Sequence, residues 1–366
     1  MEQTQLLSIV NKFNVKGTVS NIKPLGDGLI NTTYKVTTSE NDQPDYVLQK
    51  VNDAVFPDVD MLMNNIVAVT DYIRTKQAAK GQADIDRHCL KFIPLTSNEE
   101  KYYYYDGNNY WRIMIFIPGT ITKSEVSPES SYTVGIAFGE FESMLADIPV
   151  QLGETIKDFH NMEFRLEQLR EAVQQDKAGR AASVKYYIDE IENRAEAMTL
   201  GERLFREGKL QKRICHCDTK VNNMLFDAKT DEVLCVIDLD TVMPNFIFSD
   251  FGDFLRTAAN TGKEDDENLE NVNFRMEIFQ AFARGYLKSA GTFLTETEIS
   301  NLPYATALFP YMQTVRFLAD YLNGDTYYKI LYPEHNLIRT KAQFKLLQSV
   351  ESHYDEMKAF INSILS

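Results

Sequence analysis

The sequence predicts an α+β fold in two lobes, a small β-rich lobe followed by a larger, mostly helical one. Three observations carry this. Short runs rich in β-branched and aromatic residues, separated by turn clusters, crowd the first 118 residues. Pro118-Gly119 interrupts that pattern, and the composition changes there. Beyond it, apolar residues recur mostly at helical spacing. The expected division is therefore 1–118 and 119–366.

In chain order, Val19–Pro24 and Thr32–Thr37 read as strands, with the turn Gly26-Asp27-Gly28 between them. Tyr46–Val51 is a third short strand. Asp58 suits the N-cap of a helix from about Val59 to Gln77, with Leu62, Ile66, Val69 and Ile73 on one face. Asp84–Asp86 reads as loop, and Phe92–Leu95 and Lys101–Tyr105 as strands. Tyr110–Ile117 is the clearest strand, preceded by the turn Asp106-Gly107-Asn108-Asn109. In the second part, Ser127-Pro128-Glu129 starts a helix, with Ser as N-cap and Pro at the first helical position. Glu163–Gly208 is charged and helical, and Arg213–Val242 resembles hairpins. Helices resume at about 264–289, 295–322 and 338–365.

The composition narrows the function classes. With 38 Lys+Arg against 53 Asp+Glu the net charge is −15, which argues against nucleic acid or an anionic membrane as partner. Only four cysteines occur, too few for a disulfide framework, so a reducing compartment is expected. The N-terminus lacks a basic segment ahead of a long apolar one, and no apolar run reaches membrane-spanning length. These features predict a soluble cytoplasmic protein; the expected state, monomer or weak dimer, does not follow from them.

The most informative segment is His216-Cys217-Asp218-Thr219-Lys220-Val221-Asn222-Asn223. Read as H-x-D-x-K-x-x-N, it has the spacing of a kinase catalytic loop. Phosphoryl transfer needs positioning and charge stabilisation more than covalent work by the protein. Asp218 would lie beside the attacking hydroxyl, and Lys220 would offset charge on the transferring group. Mg²⁺ prefers oxygen ligands and keeps several waters, so Asn223 and Asp238, which ends the apolar run Val236-Ile237, suffice as its protein ligands. The bland alternative for Asp218 is a loop carboxylate capping amides. His216 reads as a structural group that holds the loop. Zinc at Cys215-His216-Cys217 is disfavoured, because adjacent residues in extended chain point to opposite sides. Asp250-Phe251-Gly252 spells a metal motif, but Asp238 has the better spacing, so Asp250 reads as a supporting carboxylate or helix N-cap.

Two nucleotide-side candidates remain. Gly26, Asp27, Gly28, Asn31 and Thr32 form either a phosphate-cradling loop or an ordinary Asp-Gly hairpin turn. Phe116 and Ile117, before Pro118-Gly119, either present backbone groups to an adenine or form a plain linker.

The chain resembles the aminoglycoside phosphotransferase and choline-kinase-like family, relatives of the protein kinases. The similarity is nearest to bacterial N-acetylhexosamine 1-kinases. It rests on GDGLINTTY (26–34), YVLQKVN (46–52), FPDVDMLM (56–63), HCDTKVNNML (216–225), VIDLDTVMP (236–244), DFGDFLR (250–256), RFLADYLNGDTYY (316–328) and YPEHNLIRT (332–340). The last two point to the sugar 1-kinases. The resemblance implies a two-lobed protein-kinase-like fold with the nucleotide in the N-lobe and the sugar in the C-lobe. It implies transfer of the γ-phosphate of ATP, with Mg²⁺, to the anomeric hydroxyl of GlcNAc or GalNAc. Asp218 would be the base, Asn223 and Asp238 the metal ligands, and Gly26–Asn31 the phosphate loop. Arg316, Asp320 and Tyr327 would wall the sugar pocket; the plain alternative is an intrahelical Arg316–Asp320 pair plus a core aromatic. Other readings are a kinase of an aminoglycoside, choline, homoserine or methylthioribose, and a non-catalytic nucleotide-binding module. One departure stands out. Gln49 occupies the strand position where most relatives carry Lys or Arg, Lys50 faces the other way, and the following helix offers no Glu partner.

Overall fold

The structure, a computed structural model, describes residues 3–26 and 30–365. Among them the chain forms two compact units that are not continuous in sequence. One comprises Met1–Lys123, Met144–Lys157 and Asn222–Met243; the other comprises Ser124–Ser143, Asp158–Val221 and Pro244–Ser366. The segment carrying Asn223 and Asp238 thus belongs to the first unit.

The first unit is built on a five-stranded antiparallel sheet. Its spatial order is Val19–Pro24, Thr32–Thr38, Tyr46–Val51, Tyr110–Ile115 and Tyr104–Tyr105. Alternation buries Tyr46 and Leu48 on one face, Val51 is buried on the other, and the register places Gln49 opposite both Thr33 and Arg112. One core cluster joins Val36, Leu48, Trp111 and Ile113 to Leu6, Ile9 and Val10 of the Gln3–Val10 helix. That helix was not expected from the sequence. It is short and acquires stability from this packing rather than from propensity. The Val59–Ala79 helix forms as expected, with Asp58 capping the Met61 N–H at 2.9 Å. Its Asn65 donates to the Gly153 and Val242 carbonyls, which fixes two distant segments of the same unit. A three-stranded sheet of Thr120–Ile121, Met224–Asp227 and Val233–Val236 completes this unit.

Other expectations shift locally. Phe92–Leu95 makes isolated bridges rather than a strand, and only Tyr104–Tyr105 of the 101–105 stretch pairs. Ile85–His88 is a helical turn where loop was expected.

The second unit is helical. Pro128–Leu145 starts as predicted, and Met162–Gln175, Lys185–Met198 and Leu200–Arg206 divide the charged stretch. Residues 264–275 form no α-helix, only the short 3-10 turn Leu269–Asn271, which Asn268 caps by accepting the Glu270 N–H. The Asp266 carboxylate accepts the Asn268 N–H, a local bond that competes with α-helix. The helix starts only at Met276.

Phe248–Ala258 is a buried helix; the reading of Asp250 as a helix N-cap placed a helix here, but it starts at Phe248, so Asp250 lies in its first turn. The structure supplies the reason for Gly252. A Cβ there would lie 2.3 Å from the Ala305 carbonyl oxygen and 2.5 Å from the Phe309 ring, on the Leu302–Leu322 helix. The aromatic core of this unit stacks Phe254 on Phe282 at 4.0 Å between ring centres and sets Phe251 against Phe279 and Tyr286. No described helix is long and apolar enough to cross a membrane.

Candidate active site

The Arg213–Cys215 strand delivers the chain into the His216–Lys220 loop. One buried carboxylate shapes that loop. Asp250, in the first turn of the Phe248–Ala258 helix, accepts the His216 and Cys217 N–H groups, each at 2.7 Å. Its own backbone carbonyl accepts from the Thr219 hydroxyl at 2.7 Å. Asp250 is therefore a supporting carboxylate. Cys217 takes a left-handed conformation, φ 62°, which turns the chain between those two bonds and Asp218. His216 is fully buried near Phe138 and Phe141, and its Nδ1 accepts the Asp218 N–H at 3.2 Å. The structural reading of this histidine thus has its geometry.

Behind Asp250 lies a second acid. Glu142 is buried and accepts a hydrogen bond from the Tyr286 hydroxyl. Burial, and then the Asp250 charge, push its carboxyl well above the usual range. Asp250 is also raised by burial, but His216 and the two backbone donors oppose that shift. Of the two, Glu142 is the group that carries the proton.

The loop presents Asp218 and Lys220 together, the carboxylate 3.0 Å from the ammonium. Burial opposes the Lys220 charge, but Asp218 and Asp253 outweigh it and hold the amine above its ordinary value. The Arg256 charge opposes this rise and is itself paired with Asp253 and Glu264.

Asn223 and Asp238 stand at matching ends of one hairpin. Met224 pairs with Val236, and the Ile237 N–H donates to the Asn223 carbonyl at 2.9 Å. Asp238 has φ 60°, which turns the chain out of the strand into the short helical turn Leu239–Thr241. An amide oxygen and a carboxylate are the hard donors that Mg²⁺ prefers. Two other acids that follow in the sequence have other work: Asp250 holds the His216–Cys217 amides, and Asp240 is paired with Arg112 and accepts from Asn31.

Of the nucleotide-side candidates, Asp27 and Gly28 lie outside the described residues. Gly26 has φ +67°, a turn conformation that suits glycine. Asn31 does not stand open as a phosphate donor: Nδ2 donates to Asp240 at 2.7 Å and Oδ1 accepts the Asn52 N–H at 3.0 Å. Thr32 starts the second strand, opposite Lys50. The Phe116 N–H is bonded to the Asp45 carbonyl, and the Ile117 carbonyl accepts from the Thr120 hydroxyl. Lys35 lies 4.0 Å from the centre of the Phe116 ring.

In the helical unit, a cavity of about 250 Å³ is lined by Arg165, Glu171, Arg316, Asp320, Tyr327 and Tyr328, among others. Arg316 lies over the Phe159 and Tyr328 rings and donates to Gln313. The intrahelical-pair alternative is not what Asp320 does. Its carboxylate, 5% exposed, accepts the Thr326, Tyr327 and Tyr328 N–H groups and the Asn336 amide. Asp320 therefore builds the wall, and Tyr327, 66% exposed, is held on it. Arg165, missed by the sequence reading, donates twice to the Phe159 carbonyl. Burial and the Arg316 charge push it down to about 10. No sequence pattern marks it out. His160, stacked on the Phe159 ring, is buried, and burial followed by the Arg316, Arg165 and Arg256 charges holds its imidazole well below the ordinary value.

The sequence profile of the phosphotransferase enzyme family matches residues 21–293. The chain belongs to that family. Solved structures share its fold. An amicoumacin kinase in complex with AMP-PNP, Ca²⁺ and Ami is 12% identical, with a TM-score of 0.60 over 95% of this chain and 94% of that one. A microcompartment-associated aminopropanol kinase is 13% identical, with a TM-score of 0.59 over 98% and 99%. A choline kinase from Cryptosporidium parvum is 14% identical, with a TM-score of 0.61 over 99% of both chains. This phosphotransferase therefore has a kinase-like fold, with a small antiparallel-sheet lobe and a larger helical lobe, as the resemblance implied.

Proposed function

We propose that this phosphotransferase transfers the γ-phosphate of ATP to the anomeric hydroxyl of an N-acetylhexosamine, GlcNAc or GalNAc, in the cytoplasm. The observation that carries the acceptor class is the charge of the candidate cavity. Two guanidiniums, Arg165 and Arg316, face it closely enough that one depresses the other. Of the carboxylates on its wall, Asp320 is occupied by three backbone donors and an amide, and Glu171 accepts from Gln175. A cationic acceptor such as choline or an aminoglycoside would meet repulsion there. A neutral polyol with a carbonyl suits paired donors. All four cysteines are buried and free, which fits a reducing compartment.

In this reading Asp218 accepts the proton of the attacking hydroxyl. An anomeric hydroxyl is more acidic than an ordinary alcohol, so a carboxylate is an adequate base. Lys220, held protonated, offsets negative charge on the group in transfer. Asn223 and Asp238 supply the protein oxygens for Mg²⁺, which when bound neutralises phosphate charge. Asp250 fixes the loop so that these groups need no reorganisation during the reaction.

The test is a panel of acceptors with ATP and Mg²⁺, read by phosphorus NMR. N-acetylhexosamines should give a phosphate on C1. Choline, an aminoglycoside or aminopropanol outcompeting every sugar would overturn the acceptor assignment, and phosphate on C6 would overturn the anomeric one.

A further inference from the structure

Arg112 sits in the middle of the Tyr110–Ile115 strand and is 2% exposed, a full charge inside a core. Its environment is specific. Nε donates to the Gln49 side-chain oxygen at 2.9 Å, and Nη1 lies 2.5 Å from an Asp240 carboxylate oxygen and 3.9 Å from the Met63 sulfur. The Phe92 ring centre is 5.7 Å from its central carbon. Asp240, 3% exposed, accepts the Asn31 amide at 2.7 Å through its other oxygen. Asn31 in turn accepts the Asn52 N–H, and the Gln49 amide donates to Thr33 at 3.2 Å.

As a stabilising device this pair is a poor choice. Two charges removed from water cost several kcal/mol, and a packed apolar pair of similar volume serves as well or better. What the pair does is join segments far apart in the chain. Asp240 lies two residues after Asp238, on the same short turn, and Asn31 immediately precedes the second strand, which starts at Thr32. Gln49, on the neighbouring strand, is uncharged and acts here by orienting the guanidinium. Lys50 lies on the opposite face of that strand.

We infer that Arg112 is a positioning residue for the phosphate end of the nucleotide site: through Asp240 it holds Asn31, at the start of the second strand, and the Asp238 turn in one arrangement. The inference rests on the nucleotide-binding reading above but not on the identity of the acceptor.

The test is a double variant, Arg112→Met with Asp240→Leu, which leaves no charge buried without its partner. Its thermal midpoint should be unchanged or higher. Its affinity for a fluorescent ATP analogue in Mg²⁺ should fall by about ten-fold or more, as loss of an outer partner of a metal and phosphate site does. A folded double variant that binds the analogue within about two-fold of the parent would reduce the pair to core filling and overturn the inference. If that protein is recovered unfolded, Arg112→Lys decides, because it keeps the charge and loses the planar fork. A native midpoint with weakened analogue binding supports positioning, and parental binding refutes it. Failure of the parent protein to bind the analogue would instead overturn the nucleotide reading itself.

Discussion

The Asp218 carboxylate lies 3.0 Å from the Lys220 ammonium, on a loop whose preceding two amides are held by Asp250. In the proposed reaction Asp218 takes the proton of the attacking hydroxyl, and the neighbouring Asp218 charge helps hold the Lys220 amine above its ordinary value. Asp218→Asn should therefore lower turnover by about 10²- to 10⁴-fold or more while leaving ATP binding close to the parent. Single-turnover kinetics beside nucleotide titration check this, and a variant with parental turnover refutes the base. Because the Lys220 pKa is raised, its proton is lost only above its ordinary value of 10.5. No alkaline limb from Lys220 should appear in the turnover profile between pH 6 and about 10.

Asp238→Ala should remove most of the gain in nucleotide affinity that Mg²⁺ brings and leave metal-free binding little changed. Calorimetry with and without Mg²⁺ separates the two. Unchanged metal dependence would move the ligand role to another carboxylate.

Arg316→Ala should raise the sugar KM by roughly 10- to 100-fold, the loss of a charge-assisted hydrogen bond, with the ATP KM near the parental value. Initial rates with each substrate varied in turn make the comparison. An equal rise in both constants removes Arg316 from the acceptor site.

Glu142→Gln tests the buried acid behind the catalytic loop. The Glu142 pKa is raised on folding, so its contribution to stability is complete below the ordinary value of 4.5 and declines as pH rises through the folded pKa. Glutamine has no such decline. The variant's melting temperature should match the parent's in acid, then exceed it by a margin that grows with pH and levels off. A constant difference from pH 4 to 9 would show that Glu142 does not carry the proton.

Gly252→Ala sets two effects against each other. Alanine favours a helix by about 1 kcal/mol over glycine. The new Cβ would meet the Ala305 carbonyl oxygen at 2.3 Å, and overpacking costs about 1–3 kcal/mol. Net destabilisation is expected by urea unfolding, with turnover falling as the Asp250 support shifts. A stabilised variant would show that the two helices part easily.

The glycine also shows where sequence reasoning stops. Helices such as Val59–Ala79 and strands such as Tyr46–Val51 were legible because period and caps are local signals. Phe248–Ala258 was legible only through Asp250 as an alternative N-cap, and its glycine records a neighbour on another helix. Within the candidate site, the H-x-D-x-K-x-x-N spacing is local in the same way, and the hairpin that brings Asn223 beside the Asp238 turn follows from two short apolar runs. Arg112 left a trace, a lone charge inside the apolar run Tyr110–Ile117, but the trace names no partner.

By itself, then, the sequence determined the two-lobed fold and carried the proposals for the catalytic loop and for the oxygen donors to a divalent ion. Only the tertiary structure decided that Asp240 neutralises Arg112, that Asp320 carries a wall segment, and that Arg165 joins Arg316 at one cavity. The physical reason is range. Backbone period and turn chemistry act over a few residues, whereas a buried charge or an unpaired amide finds its partner through space.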